Sequence, residues 1–348
     1  MRTTYLAGAG LGLVAAVVFA SATTGPLFVR FFLFFITPLA IALAGLGWGW
    51  RAAAFAGAVG SGIVLLFAGP TVSAIFALTQ AAPMILLTYL ALLGRPLAQN
   101  SGDIHTSIPA HDEAADDAAS PPLEWYPAGR LVIWSAVMAG VMAIASLMLL
   151  GGDLEVLRKA LGEFIKTAVV AELPQTNGPV QLSEAEIASL SEIALSVLPG
   201  ASAMSWMASL LFNLWLAGRI TLASGQLGRP WPDLAAITYP AGTPLAFGVA
   251  LFATTLAGYP GLAASAFAGG LFTAYLLLGL GILHYTTRGR PWRPFALWAL
   301  YGLLLVVNIW VGFFVALLGL AETVLHLRAR SHTSPGAPPG APPLNRNS

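Results

Sequence analysis

The sequence is dominated by apolar runs of about twenty residues that follow one another with almost nothing between them. They lie at about 4–22, 27–47, 52–69, 72–94, 131–151, 199–218, 243–260 and 262–285. A helix of that length crosses a hydrocarbon core of ~30 Å. Only a helix or a closed barrel satisfies its backbone polar groups there. Charge is too scarce to cover a water-facing surface: Lys and Arg number 16, Asp and Glu 15, and the four together make up 9% of the 348 residues. This composition excludes a soluble globular enzyme, a disordered chain and a nucleic-acid binder. The expected fold is all-α: a polytopic membrane helix bundle with eight clear spans. A ninth apolar stretch, 295–325, reads as a broken helix or a short hairpin turning near Asn308. Its arms of about 13–19 residues would reach only ~20–28 Å.

The arginines set the expected orientation. Arg2, Arg51, Arg95, Arg130, Arg219, Arg229, Arg288, Arg290 and Arg293 fall in alternate connections, and the turns 23–26, 70–71 and 260–261 carry no charge. Basic residues concentrate on the cytoplasmic side of membrane proteins. The N-terminus is therefore expected inside, and with a C-terminal hairpin the C-terminus as well. The first run reads as an uncleaved span, although Ala20-Ser21-Ala22 would also suit a cleavage site.

Six regions follow: a four-span region (1–94), a disordered acidic cytoplasmic linker (95–129), a fifth span (130–151), an extracytoplasmic insert (152–198), a C-terminal membrane region (199–328) and a Pro-rich tail (329–348). The insert carries two amphipathic patterns. In the first, Leu154, Leu157, Leu161, Phe164 and Ile165 recur at helical spacing opposite Glu155, Arg158, Lys159 and Glu163. The second opens with Ser183 and Glu186, the spacing of a capping box, and is expected to end at Leu198-Pro199-Gly200. Such helices lie on a membrane surface or cap a bundle.

Few residues offer chemistry. With no cysteine there is no disulfide, thiolate metal site or cysteine nucleophile. The chain has no Walker loop, no HExxH and no paired membrane aspartates, so no metal site, cofactor or enzymatic activity is expected. Polar groups inside apolar runs are functional candidates because burying them is costly. Gln80, Asn213 and Asn308 each fall near the middle of a run and suit either interhelical bonding or a polar cavity. Arg30 either snorkels to the outer interface or faces an anionic substrate. Glu322 and Arg328 read as an interfacial pair. Gly8, Gly12 and Ala16 form a small-residue stripe that lets another helix approach closely, within this chain or in a partner subunit.

Several stretches together carry a resemblance. They are Thr37-Pro38-Leu39, Ala82-Pro83, Leu198-Pro199-Gly200, Met204-Ser205-Trp206, Asn213 to Arg219 and the Gly319 to Arg328 ending. The chain resembles the YybS-like bacterial multi-pass membrane proteins, a family of unknown function. That family in turn is distantly similar to substrate-binding subunits of energy-coupling-factor transporters. The resemblance implies a bacterial inner-membrane protein, with Gly8, Gly12 and Ala16 docking a partner membrane subunit or ATPase module. The expectation is a transporter subunit without its own ATPase, with Arg30, Gln80, Asn213 and Asn308 around its cavity. A membrane scaffold acting through the insert and the Gly-rich spans is the alternative.

Overall fold

The computed structural model describes residues 2–96, 123–149, 153–169, 183–307, 309–326 and 328. Among them the protein is helical apart from two three-residue strands and the connections. Six helical stretches are long and apolar enough to cross a membrane, as expected of a multi-pass membrane protein. The expected linker (most of 95–129), the tail and Asn308 lie largely outside the described residues.

The N-terminal half begins with α1 (Arg2–Ser21), followed by α2 (Leu27–Ile36), α3 (Pro38–Trp48), α4 (Trp50–Phe76) and α5 (Ala82–Ala91). Pro38 separates α2 from α3 without diverting the chain, so 27–48 remains one stretch. The 42-residue stretch Trp50–Ala91 is not one rod. At Gly69 the backbone leaves the helical region (φ 83°), and Pro70 follows. Beyond this point the chain folds back. Ser73 donates to the Ser61 carbonyl at 2.8 Å, Phe76 covers Gly60, and Ala81 and Ile85 cover Gly57. The two apolar runs expected at 52–69 and 72–94 are thus the arms of a helical hairpin, with glycine supplying the turn that other residues adopt at a cost. Pro83 has no N–H for the Thr79 carbonyl. The ladder before it slips into a π-turn over Ala77–Ala81.

Two strands close this half. β1 (Gly94–Pro96) pairs antiparallel with β2 (Leu123–Trp125), so the ends of the expected linker are ordered against each other.

The C-terminal half contains α6 (Ala128–Leu149), α7 (Leu154–Phe164), α8 (Glu184–Ala223), α9 (Thr243–Ala253), α10 (Tyr259–Thr286), α11 (Arg293–Val306) and α12 (Ile309–Leu325). It departs from expectation in two places. The second insert helix does not end at Leu198-Pro199-Gly200. The capping box forms as expected at Ser183 and Glu186, but α8 then runs unbroken through Pro199 for 40 residues. Just past the proline α8 meets α10 closely: Gly200 lies against Ser265, and a side chain at Gly269 would collide with the Gly200 backbone. Ser265 also donates to the Ser196 carbonyl beside the proline. The insert at 152–198 is therefore no separate domain at its C-terminal boundary.

The second departure concerns 243–260. Only Thr243–Ala253 is helical, half the length of a span. The chain before it, 224–242, is non-helical except for one 3₁₀ turn at Leu234–Ala236. Pro230, Pro232 and Pro240 disfavour a helix there, and Pro244 sits in the first turn of α9, where its missing N–H costs nothing.

The last two helices leave and return to one place. Arg288, just before α11, and Arg328, just after α12, both place their guanidinium groups over the Tyr285 ring.

Candidate functional site

The non-helical segment 224–242 does not run over the outside of the bundle. Ala235 lies against Gly281, and the Tyr239 hydroxyl donates to the Ala274 carbonyl at 2.7 Å. Ala274 is twelve residues from the end of α10, or about 18 Å along its axis at 1.5 Å per residue. The segment therefore enters between helices from the arginine-bearing end. On its other side, the Thr238 carbonyl presses on Gly129 at the start of α6, a contact that leaves no room for a side chain. Irregular backbone at this depth is stable only where protein or a water-filled cavity takes its polar groups.

Those groups have partners. Asp233 opens the 3₁₀ turn by accepting the Ala235 N–H at 3.1 Å. Arg328 donates to the Ala235 carbonyl at 2.9 Å and to the Ile237 carbonyl at 2.8 Å. Its charge is balanced by Glu322, 2.7 Å from Nε, and both side chains are only about one-tenth exposed (11% and 9%). The expected interfacial pair is thus a buried one, and it clamps an unwound strand of backbone. At the mouth, outside the membrane-spanning part, Arg288 pairs with Asp233 at 2.9 Å. The guanidinium holds this carboxyl below the usual aspartate value of 3.8.

Beside the segment is a cavity of about 1320 Å³. Its walls are the unwound segment from Leu227 to Ile237, α8 from Ala208 to Arg219, α10 from Thr273 to His284, and the first turn of α6. The deep part is apolar, with Leu211, Phe212, Leu276 and Leu277. The mouth carries Arg219, Arg229, Arg288 and Arg293 with Asp233. The Nε atoms of Arg229 and Arg293 are buried without a hydrogen-bond partner. His284 and Tyr301 share a hydrogen bond of 2.8 Å at the rim. Arginines at this end of the bundle are stacked on aromatic rings: Arg51, Arg130, Arg219, Arg229 and Arg288 lie 5.3–6.0 Å from ring centroids. Stacking of this kind is worth ~0.5–2 kcal/mol and fixes the direction of a guanidinium.

A second cavity, about 810 Å³, lies at the opposite end under the insert, between Leu154, Arg158 and Glu192 and the outer turns of α8 and α10. Arg158 and Glu192 form a solvent-exposed bidentate pair across it at 2.7 Å and 3.2 Å.

The residues expected around a cavity do not come together. Asn213 is fully buried, but its Nδ2 donates to the Phe35 carbonyl at 2.8 Å and the Ser209 carbonyl at 2.8 Å. It joins α8 to the α2–α3 break, and its Oδ1 has no partner. Gln80 is buried in the π-turn, where its Nε2 reaches Thr79 at 3.3 Å. Arg30 is exposed and reaches back to the Ala22 carbonyl at 3.4 Å. None of the three lines either cavity, and Asn308 lies outside the described residues. Gly8, Gly12 and Ala16 are buried within the chain. Gly8 sits against the Ala52 carbonyl and Gly12 against the Ala56 carbonyl, 2.5 Å from where a Cβ would stand. Among the described residues, no cluster of His, Cys, Asp and Glu is placed to hold a metal ion.

Of the residues that build the site, sequence reasoning singles out the Glu322–Arg328 pair but not the unwound segment that it holds. The segment's signal is the run of prolines at 230–244 with Asp233 and Gly242 among them. It marks a loop but not one packed between helices. No family model, no curated protein and no solved structure matches this chain. The YybS-like resemblance rests on the quoted stretches alone.

Proposed function

We propose that this chain is the substrate-binding or permease subunit of a small-molecule transporter in a bacterial inner membrane, energised by a partner and not by an ATPase of its own. One observation carries the reading: the unwound segment that leads into the short helix Thr243–Ala253, the two read together as a broken span, lines the larger cavity from Leu227 to Ile237. Transporters build substrate sites from discontinuous helices, because unwound backbone offers polar groups that a regular helix hides. On this reading the chain has eight spans. They are 2–21, 27–48, the hairpin arms 50–68 and 70–91, then 128–149, the inner part of α8, the broken span and α10. The pair α11–α12 forms a C-terminal hairpin that returns to its starting side. Both termini then lie in the cytoplasm with the arginine-bearing end.

Reconstitution into vesicles tests the reading directly. Uptake is expected only with a co-purified energising module, and G129A, which drives a methyl group into the Thr238 carbonyl, is expected to abolish it while the chain still inserts. Normal uptake by that variant would refute the role of the broken span. A second reading, a membrane scaffold, is favoured by the outer hairpin of α7 and α8, which is held by two cross-helix ion pairs, Arg158–Glu192 and Lys166–Glu184. Removal of 155–195 would then abolish assembly of a partner complex while leaving uptake intact.

A further inference from the structure

We infer that the larger cavity binds an anionic phospholipid drawn sideways from the cytoplasmic leaflet, with its phosphate at the arginine mouth and an acyl chain along the apolar wall. The inference rests on the reading of this cavity as the substrate site and names the class of molecule it takes. Three observations carry it.

The first is charge. Four guanidiniums line the mouth, Arg219, Arg229, Arg288 and Arg293, against one carboxylate, Asp233, among the described lining residues. Asp233 is spent on Arg288. The other three have no carboxylate partner among the described ion pairs: Arg229 donates from Nη1 to the Ala91 carbonyl at 2.8 Å, Arg219 stacks on the Trp231 ring, and Arg293 lines the mouth beside them. Three cationic groups not neutralised by a carboxylate favour an anion at the mouth. Basic pockets between helices at the cytoplasmic face suit phosphate headgroups.

The second is length. Along α8 the cavity runs from Ala208 to Arg219, and along α10 from Thr273 to His284. Each distance is eleven residues, or about 16 Å. That is half of a ~30 Å hydrocarbon core, the depth of one leaflet. The charged end and the apolar end are thus separated as a headgroup and a leaflet-long chain are separated. The volume of about 1320 Å³ exceeds the ~300–1,000 Å³ of sites for drug-sized molecules.

The third is access. Phe212 and Trp215 form part of the wall yet are 41% and 45% exposed. Their exposed apolar rings leave the cavity open at α8, and on the reading of α8 as a span that opening lies at the level of the acyl chains.

The experiment uses the purified full chain in a neutral detergent, with phosphatidylglycerol, phosphatidylcholine of the same chains, and glycerophosphoglycerol as probes. Native mass spectrometry reads the lipid retained. Phosphatidylglycerol is expected to be retained at least tenfold over phosphatidylcholine. The double variant R219Q/R293Q is expected to lower that retention about tenfold. R51Q, at the same end but outside the cavity, is expected to change nothing. Equal retention of phosphatidylcholine, undiminished retention by the double variant, or equally tight binding of the chainless glycerophosphoglycerol would each overturn the inference. Should R219Q/R293Q fail to fold, the cysteine-free background allows a second measurement. A single F212C variant is expected to react with maleimide several-fold more slowly in phosphatidylglycerol nanodiscs than in phosphatidylcholine nanodiscs, while L66C, on an exposed surface of α4, is indifferent. Equal rates at F212C would refute the site. Retention of the anionic lipid without its movement between leaflets would keep this inference and end the transport reading. Transport of a water-soluble solute without lipid retention would do the reverse.

Discussion

The two halves of this molecule are made from the same residues and do opposite things. In α1–α5 the glycines and alanines face one another. Gly8 and Gly12 on α1 meet Ala52 and Ala56 on α4, Gly57 and Gly60 meet the returning arm of the hairpin, and Gly45 meets Thr88. These small residues bring backbones together. In α6–α12 some small residues do the same, as where Gly279 and Gly319 let α10 and α12 touch. But Gly129 and Gly281 admit a strand of irregular backbone, and a buried Arg–Glu pair holds that strand in place. Close packing between spans leaves no room, whereas an intruding non-helical segment holds helices apart and makes a cavity. Where the prolines fall decides which of these outcomes the composition gives. One proline beside a glycine at 69–70 makes a clean turn, and three within eleven residues at 230–240 keep the chain before α9 out of a helix.

The comparison breaks hardest at the Glu322–Arg328 clamp. Removing one partner of a buried ion pair typically costs ~3–5 kcal/mol because the other charge is left behind. E322Q is expected to lower the thermal unfolding midpoint more than G12L or N213L does, and to expose 234–240 to proteolysis. The pair E322Q/R328M should regain much of the midpoint but not the proteolytic resistance, since the carbonyls of Ala235 and Ile237 lose their donor. Equal losses from E322Q and from a substitution at exposed Arg30 would show that the clamp holds nothing.

In the N-terminal half the sharpest test is steric. G12L forces a side chain against the Ala56 carbonyl and should cost ~1–3 kcal/mol, the usual range for overpacking. G10L, two residues away, meets open space and should leave the unfolding midpoint unchanged. If both behave alike, α1 does not pack on α4 through Gly12.

Asn213 joins the halves, donating from α8 to the break between α2 and α3. Interhelical hydrogen bonds in membranes average ~0.6 kcal/mol. N213L should shift the midpoint by one or two degrees and leave uptake intact. A complete loss of uptake would return Asn213 to the cavity where sequence reading places it.

The smallest effect concerns pH at the cavity mouth. Arg288 lowers the Asp233 carboxyl below its unfolded value of 3.8. A depressed carboxylate stabilises the fold above its unfolded value, and that contribution is lost as pH falls through the folded one. Cysteine accessibility at position 234 should therefore stay constant from neutral pH down to the ordinary aspartate range and rise only below it. Accessibility that already rises near pH 6 would show that the pair does not form.

How much of this is written in the chain follows from which interactions leave a local trace. Spans are legible because a run of apolar residues has one stable solution in lipid. The capping box at Ser183 and Glu186 and the amphipathic face of α7 are legible because their partners lie within one or two helical turns. The hairpin at Gly69–Pro70 is legible as a gap between runs. The buried depth of 235–242 is not, because the same prolines and the same Asp233 would serve in an exposed loop. What draws the segment inward is a set of partners distant in the chain: Ala274 for Tyr239, Arg328, 93 residues from Ala235, for the carbonyls, and Gly129 for Thr238. Asn213, Gln80 and Arg30 mislead for the matching reason. A polar residue within an apolar run announces that it needs a partner, and nothing local tells a backbone carbonyl from a ligand.

Helix α8 begins in the outer hairpin at Glu184 and ends at Ala223, four residues past Arg219 at the mouth of the larger cavity. Forty residues of unbroken helix are about 60 Å long, longer than a ~30 Å hydrocarbon core. The hairpin end and the cavity wall are therefore parts of one helix, which also packs along its length on α6 and α10.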